Sequence, residues 1–263
     1  MNGLTSITPH IHRLVVPFED IYTTVFVLTT DEGAVLFDTA TYPEDIDNYI
    51  VPALQFLGIA AQELQYVVIS HNHRDHAGGL ARMAQLYPNT AVAAGSTACG
   101  ERIPGRDVQV LQDGDRLLGC LEAVAIPGHT IDCVGLLDPR TGTLLSGDGL
   151  QLYGIYGSGP WGANISHIKE HLAAGKRLHE RNIAAIIASH NYHPCDYRAD
   201  GEEVGRYIDE CAHALRAVRE YILPRQDVSD NDLAAQYNAV SGLPTVGAHV
   251  FAAVRAAMQA NEI

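Results

Sequence analysis

Cysteine is scarce and scattered in this chain. Cys99, Cys120, Cys133, Cys195 and Cys211 are odd in number and form no close CxxC pair, which excludes a disulfide framework and points to reduced thiols. Cationic side chains are few as well, 17 Lys and Arg against 31 Asp and Glu for a formal charge of −14. A general basic surface for phosphate backbones is therefore excluded, and nucleic acid is not an expected partner. No apolar run approaches the ~18 residues of a membrane span. The first residues, MNGLTSITPHIHRLVVPF, have neither the basic nor the apolar region of a secretory leader. A cytoplasmic protein with no membrane partner is expected. Charged residues are only 18 % of the 263, but hydrophobic residues are 47 %, enough to bury a sizeable core and to exclude disorder as the dominant state. What the chain has in quantity is histidine, 13 in all.

Segments 10–16, 22–29 and 33–38 are rich in Val, Ile, Leu, Phe and Thr and read as strands, with a helix over 44–57 that Pro52 must start, kink or break. Residues 64–70 form a short buried strand, and Gly78-Gly79 opens a helix that runs to Tyr87. Short strands follow near 90–94, 108–111, 120–126, 133–138 and 143–146, then a helix over about 164–181 with Asn164 as its N-cap, and a buried strand over 183–189. Beyond residue 199 the pattern is helical only, over about 201–223, 229–239 and 246–261. This divides the chain into a main domain, 1–198, and a helical extension, 199–263, packed on it. Two halves of strands followed by helices suggest sheet layers with helices outside.

The segment Ser70-His71-Asn72-His73-Arg74-Asp75-His76-Ala77-Gly78-Gly79 places three histidines and an aspartate within six residues directly after a buried strand. A strand end holds His71 rigidly, and the loop after it lets His73, Asp75 and His76 converge. Imidazole nitrogen and carboxylate oxygen suit zinc, and also iron or manganese. Three more candidates end strands: His129 in Pro127-Gly128-His129-Thr130, Asp148 in Ser146-Gly147-Asp148, and His190 after Ser189.

HxHxDH, then GHT, then GD, then a late SH resembles the metallo-β-lactamase superfamily, in its dinuclear hydrolase branch of glyoxalase II and lactonase-like enzymes. The resemblance spans roughly residues 7–195. It implies an α+β fold, a four-layer αββα sandwich, to which the C-terminal helical extension is added. Carried over by position, it implies that His71, His73 and His129 bind one metal, that Asp75, His76 and His190 bind a second, and that Asp148 bridges the two. Asp38, in Leu36-Phe37-Asp38-Thr39, matches the family's early aspartate and would orient a ligand histidine. Two zinc ions are the expected cofactors, with iron or manganese as alternatives.

Other residues carry weaker signals. His193 follows His190 by three residues and could replace it as a ligand, although the strand-end position favours His190. His167 and His171 stand one helical turn apart and read as a solvated or cleft-facing pair, while His10 and His12 share one strand face. Tyr153, Tyr156 and Trp161 lie in the Gly-rich stretch 152–162 just after Asp148, so a phenol there could hydrogen-bond a carbonyl and the indole could line a pocket. The cysteines have no nucleophile signature.

The resulting expectation is a metal-dependent hydrolase of a small acyl substrate, a thioester, lactone or ester. Asp75 is the candidate proton shuttle, and Tyr153 and Tyr156 are candidate oxyanion donors. An aspartate at 148 is unlike a true β-lactamase, and Gln151 stands where lactonases of the family place a tyrosine. The alternatives are a phosphodiesterase or ribonuclease of the same superfamily, which the acidic charge disfavours, and an iron-dependent enzyme like the persulfide dioxygenases. A homodimer is compatible with this reading.

Overall fold

The β-branched and aromatic residues before position 38 form four antiparallel strands, β1 (Leu4–Thr8), β2 (Ile11–Phe18), β3 (Ile21–Thr30) and β4 (Gly33–Phe37). They are seen in a computed structural model of the chain that describes residues 2–155 and 162–263. The chain divides into two units, Met1–Ala125 with Val134–Thr141, and Ile126–Cys133 with Gly142–Ile263.

In the first unit, β4 is followed by a helical stretch, α1 (Pro43–Asp45) and α2 (Val51–Phe56), joined by a π-helical turn over Ile46–Ile50. The wide turn sits just ahead of Pro52, whose ring nitrogen has no proton to donate to the preceding turn, so the proline starts α2. Strand β5 (Leu64–Ile69) leads into α3 (Arg74–Ala77) and α4 (Leu80–Leu86), and β6 (Ala91–Ala94) and β7 (Val108–Val110) complete a seven-stranded sheet in the order β1 to β7. The pairs β4–β5, β5–β6 and β6–β7 are parallel. Leu36, Val67 and Ile69 of this sheet share one core with Ile46, Ile50, Leu54, Leu80 and Met83 of the helices. The unit also holds an antiparallel meander, β8 (Arg116–Leu117), β9 (Leu121–Ala125) and β10 (Val134–Asp138).

The second unit has β11 (Thr143–Gly147), then α5 (Ile168–His179), which crosses over to the parallel strand β12 (Ala185–Tyr192), with β13 (Asp196–Asp200) antiparallel beside it. Three helices follow, α6 (Glu203–Ile222), α7 (Asp230–Ser241) and α8 (Ala248–Gln259). They share with α5 a core that includes Ile168, Leu215, Val218, Leu233, Phe251 and Val254. Ser229 caps α7, its hydroxyl accepting the Asp232 N–H at 3.2 Å, and Gly242 ends it in the left-handed conformation, φ +65°.

Three strands and one short helix lie outside the sequence expectation; the helix is α3, which carries Asp75 and His76 in place of the expected loop. β1 is an edge strand of largely polar residues, none of them buried, β8 is two residues long, and β13 alternates charged residues, so none of the three carries an apolar run. Asn164 does not cap α5; the helix begins four residues later, with His167 at the N-cap.

The double glycine after His76 has a steric cause. A Cβ on Gly78 would come within 1.9 Å of the Thr41 carbonyl oxygen, and one on Gly79 within 2.3 Å of that of Thr39. Gly78→Ala is therefore expected to lower stability by about 3 kcal/mol or more, or to prevent folding. By contrast, Gly175→Ala, inside α5 with its nearest neighbour 3.6 Å away, should be neutral or stabilising by up to ~1 kcal/mol. Denaturant melts of the two variants measure the contrast.

Candidate metal centre

Parallel neighbours deliver their C-terminal ends to the same edge of a sheet. Phe37 of β4 lies opposite Val68 of β5, so Asp38 and Ser70-His71 leave the sheet side by side. One Asp38 oxygen accepts the Ser70 N–H at 2.7 Å; the other accepts the Ser70 hydroxyl at 2.8 Å and lies 2.8 Å from His76 Nδ1. Asp38 is fully buried, which pushes its carboxyl pKa up, while His76 and the Ser70 hydrogen bonds pull it back. With the Nδ1 proton directed at Asp38, the lone pair of His76 falls on Nε2, 3.2 Å from Asp75 Oδ2. His71 packs on His73 and His76, with ring centroids 4.6 and 4.3 Å away. His71 and His76 are buried, Asp75 is partly buried and His73 is exposed.

The backbone around this cluster is constrained. Asp38 and Ala40 both adopt positive φ, +68° and +54°, and the Thr39 N–H and hydroxyl both donate to the His76 carbonyl, at 2.7 and 3.0 Å. Left-handed non-glycine residues are strained; here they turn the chain so that 39–41 can clasp the segment carrying Asp75 and His76. Arg102 ties down the other side of the loop, donating to the Asn72 side chain at 2.9 Å and its carbonyl at 3.0 Å.

In the second unit, His129, Asp148 and His190 form the corresponding group. Gly128 takes φ +157°, and a Cβ there would strike the His171 ring, with Nδ1 at 2.4 Å, which accounts for the glycine before His129. The Nδ1–H of His129 donates to the Asn164 carbonyl at 2.5 Å, placing the lone pair on Nε2, 3.8 Å from Asp148 Oδ2. His190 Nε2 lies 3.4 Å from the other oxygen, Oδ1. All three side chains are buried. Imidazole nitrogens and carboxylate oxygens, with Nδ1 of His76 and of His129 engaged by Asp38 and Asn164, suit zinc, iron or manganese.

Sequence reasoning missed Gln151 and Asn164. Gln151 is buried; its amide nitrogen donates to Asp148 Oδ2 at 3.1 Å and its carbonyl oxygen accepts the Asn164 N–H at 2.7 Å. Asn164 in turn orients His129. Glutamine three residues after Asp148 is the only sequence signal, and by itself it marks no more than the absence of a tyrosine.

The remaining candidates have other surroundings. The Tyr153 hydroxyl donates to Glu210 at 3.0 Å, and burial and Glu210 together hold its pKa well above the usual phenol range. Tyr156 and Trp161 lie outside the described residues. The His193 backbone pairs with Tyr153 and Gly154, and its ring stands edge-on to Tyr153 at 6.1 Å. His171 is buried, and its pKa is lowered to about 4 by burial. Burial likewise pushes the Cys133 thiol up to about 12, so it is not a nucleophile at neutral pH.

A profile of the Metallo-beta-lactamase superfamily matches residues 19–190. The chain belongs to the metallo-β-lactamase superfamily. The expected α+β class agrees with this, and so does a solved metallo-beta-lactamase family protein from Thermus thermophilus, with a TM-score of 0.69 at 16 % identity over 97 % of this chain and 95 % of that one. Among curated relatives, the uncharacterized protein YobT of Bacillus subtilis (strain 168) is 30 % identical over 148 residues, 48 % of this chain and 62 % of that protein. A hydroxyacylglutathione hydrolase of Pseudomonas putida (strain ATCC 700007) is 40 % identical over 95 residues, 33 % of this chain and 34 % of the enzyme. The chain thus spans less than two thirds of the length of these curated relatives. Among the described residues no helix is long and apolar enough to cross a membrane.

If Asp38 and Gln151 hold ligands in place for this superfamily's metals, Asp38→Asn and Gln151→Leu should each weaken metal retention about 10- to 100-fold. Competition with a chromophoric chelator measures it.

Proposed function

We propose that this chain is a metal-dependent hydrolase of small acyl substrates, thioesters, lactones or esters. The observation that carries the reading is the pair of imidazole nitrogens on the two oxygens of one buried carboxylate, His129 at Asp148 Oδ2 and His190 at Oδ1. A carboxylate with each oxygen facing a different imidazole is suited to being shared between two ions. His71, His73 and His129 would hold one ion, Asp75, His76 and His190 the other, and Asp148 both. Two divalent cations bound there would supply Lewis acidity and a water acidic enough to react at neutral pH.

The chain's own residues do the rest. Asp38 and Asn164 fix the tautomers of His76 and His129 so that Nε2 is the donor atom in each. Asp75, partly open to solvent, can accept a proton from the attacking water and return it to the leaving group. The Tyr153 phenol would have to turn from Glu210 to reach an oxyanion, and Tyr156 is the second candidate donor. Residues 1–198 would form the catalytic part and 199–263 a helical extension, in a cytoplasmic protein.

The identity with hydroxyacylglutathione hydrolases over 95 to 136 residues supports a thioester as the first substrate to test. A panel of thioesters, lactones, β-lactams and bis(p-nitrophenyl) phosphate, assayed with zinc-, iron- and manganese-loaded protein, decides the class. Thioester or lactone turnover that His73→Ala lowers by at least 100-fold is expected; phosphodiester turnover alone would contradict the reading. On the best substrate, Tyr153→Phe should lower kcat with KM unchanged if the phenol meets the oxyanion.

A further inference from the structure

The chain contains only two lysines, Lys169 and Lys176, and both line one cleft between α5 and α6. They are seven residues apart on α5, two helical turns or roughly 10 Å, and Leu172 and Ala173 lie between them on the same stripe. Asp209, Ala212 and Arg216 form the facing stripe of α6. Gly175, with no heavy atom closer than Ile208 at 3.6 Å to where its Cβ would stand, leaves room beside them. The cleft has a volume of about 450 Å³, within the range of small-molecule sites. None of the seven candidate metal ligands lines it.

Its charges are unevenly matched. At one end Lys169 pairs with Glu262 at 3.2 Å, and at the other the His179 ring is hydrogen-bonded to the Asp209 carboxylate at 2.9 Å. Lys176 and Arg216 have no ion-pair partner among the described residues, while Lys169 of the same cleft has one. In a chain of net charge −14, a partly apolar cleft lined by three cations, Lys169, Lys176 and Arg216, against two carboxylates, Asp209 and Glu262, is a local exception. The two unpaired cations would meet an anion there, Arg216 through its planar fork and Lys176 as a point charge. The floor of Leu172, Ala173, Ile208 and Ala212 is apolar and suits an alkyl chain rather than a bare ion.

We infer that the α5–α6 cleft binds a carboxylate with an apolar chain, its head between Lys176 and Arg216 and its chain over Leu172 and Ala212. The site does not depend on the metal centre.

Titration calorimetry on the full chain, with decanoate as the probe and acetate and decyltrimethylammonium as comparison ligands, tests it. Decanoate should bind one to one, at least tenfold more tightly than acetate, which lacks the chain, and than the cation, which reverses the head. Lys176→Gln combined with Arg216→Gln, both exposed positions, should weaken decanoate at least tenfold with an unchanged melting temperature, and His71→Ala should leave it unchanged. Absence of saturable binding up to millimolar decanoate would overturn the proposal. So would binding that survives the double substitution, or binding that His71→Ala removes, which would put the ligand at the metal centre.

Discussion

The buried carboxylate of Asp38 is the constraint on which the first half of the candidate centre depends. It stands at the end of β4, fully buried, and its oxygens take the Ser70 N–H, the Ser70 hydroxyl and His76 Nδ1. A buried carboxylate is costly unless its lone pairs are filled, so those three groups are tied to it. They start and end the segment that carries His71, His73 and Asp75. The strained turn at Asp38 and Ala40 and the two glycines after Ala77 follow from the same need, to bring the chain over 39–41 against His76 at backbone distance.

The second half is organised differently. Asp148 is met by His129 and His190 on its two oxygens and by Gln151 from the side, and Gln151 passes the constraint through Asn164 back to His129. Asp148, Gln151, Asn164 and His129 form a closed ring of contacts, so displacing any one alters the orientation of the others. The family match that places the chain in the metallo-β-lactamase superfamily covers residues 19–190, which contain both groups.

How much of this could be read in advance depended on the range of the interaction. HxHxDH was legible because its residues are local and follow a strand, and the apolar runs that became β2 to β6, β11 and α6 to α8 were legible from patterning. Gln151 and Asn164 were not, because their roles rest on contacts 13 and 35 residues long, and Arg102 reaches Asn72 across 30. Asn164 had the right composition for an N-cap, but its carbonyl is engaged by His129, and α5 starts later. The π-helical turn over Ile46–Ile50 was legible only as a disturbance near Pro52. β1, β8 and β13 lack an apolar pattern because they are short or edge strands whose register comes from their neighbours.

The central claim is that Asp148 is shared by two ions. Metal titration of chelator-stripped protein, followed by elemental analysis after gel filtration, tests it for the parent and for Asp148→Asn. The account predicts close to two ions per chain for the parent and one or fewer for Asp148→Asn, with activity lost alongside the second ion. Two ions retained by Asp148→Asn, or a fully active parent holding one, would contradict it.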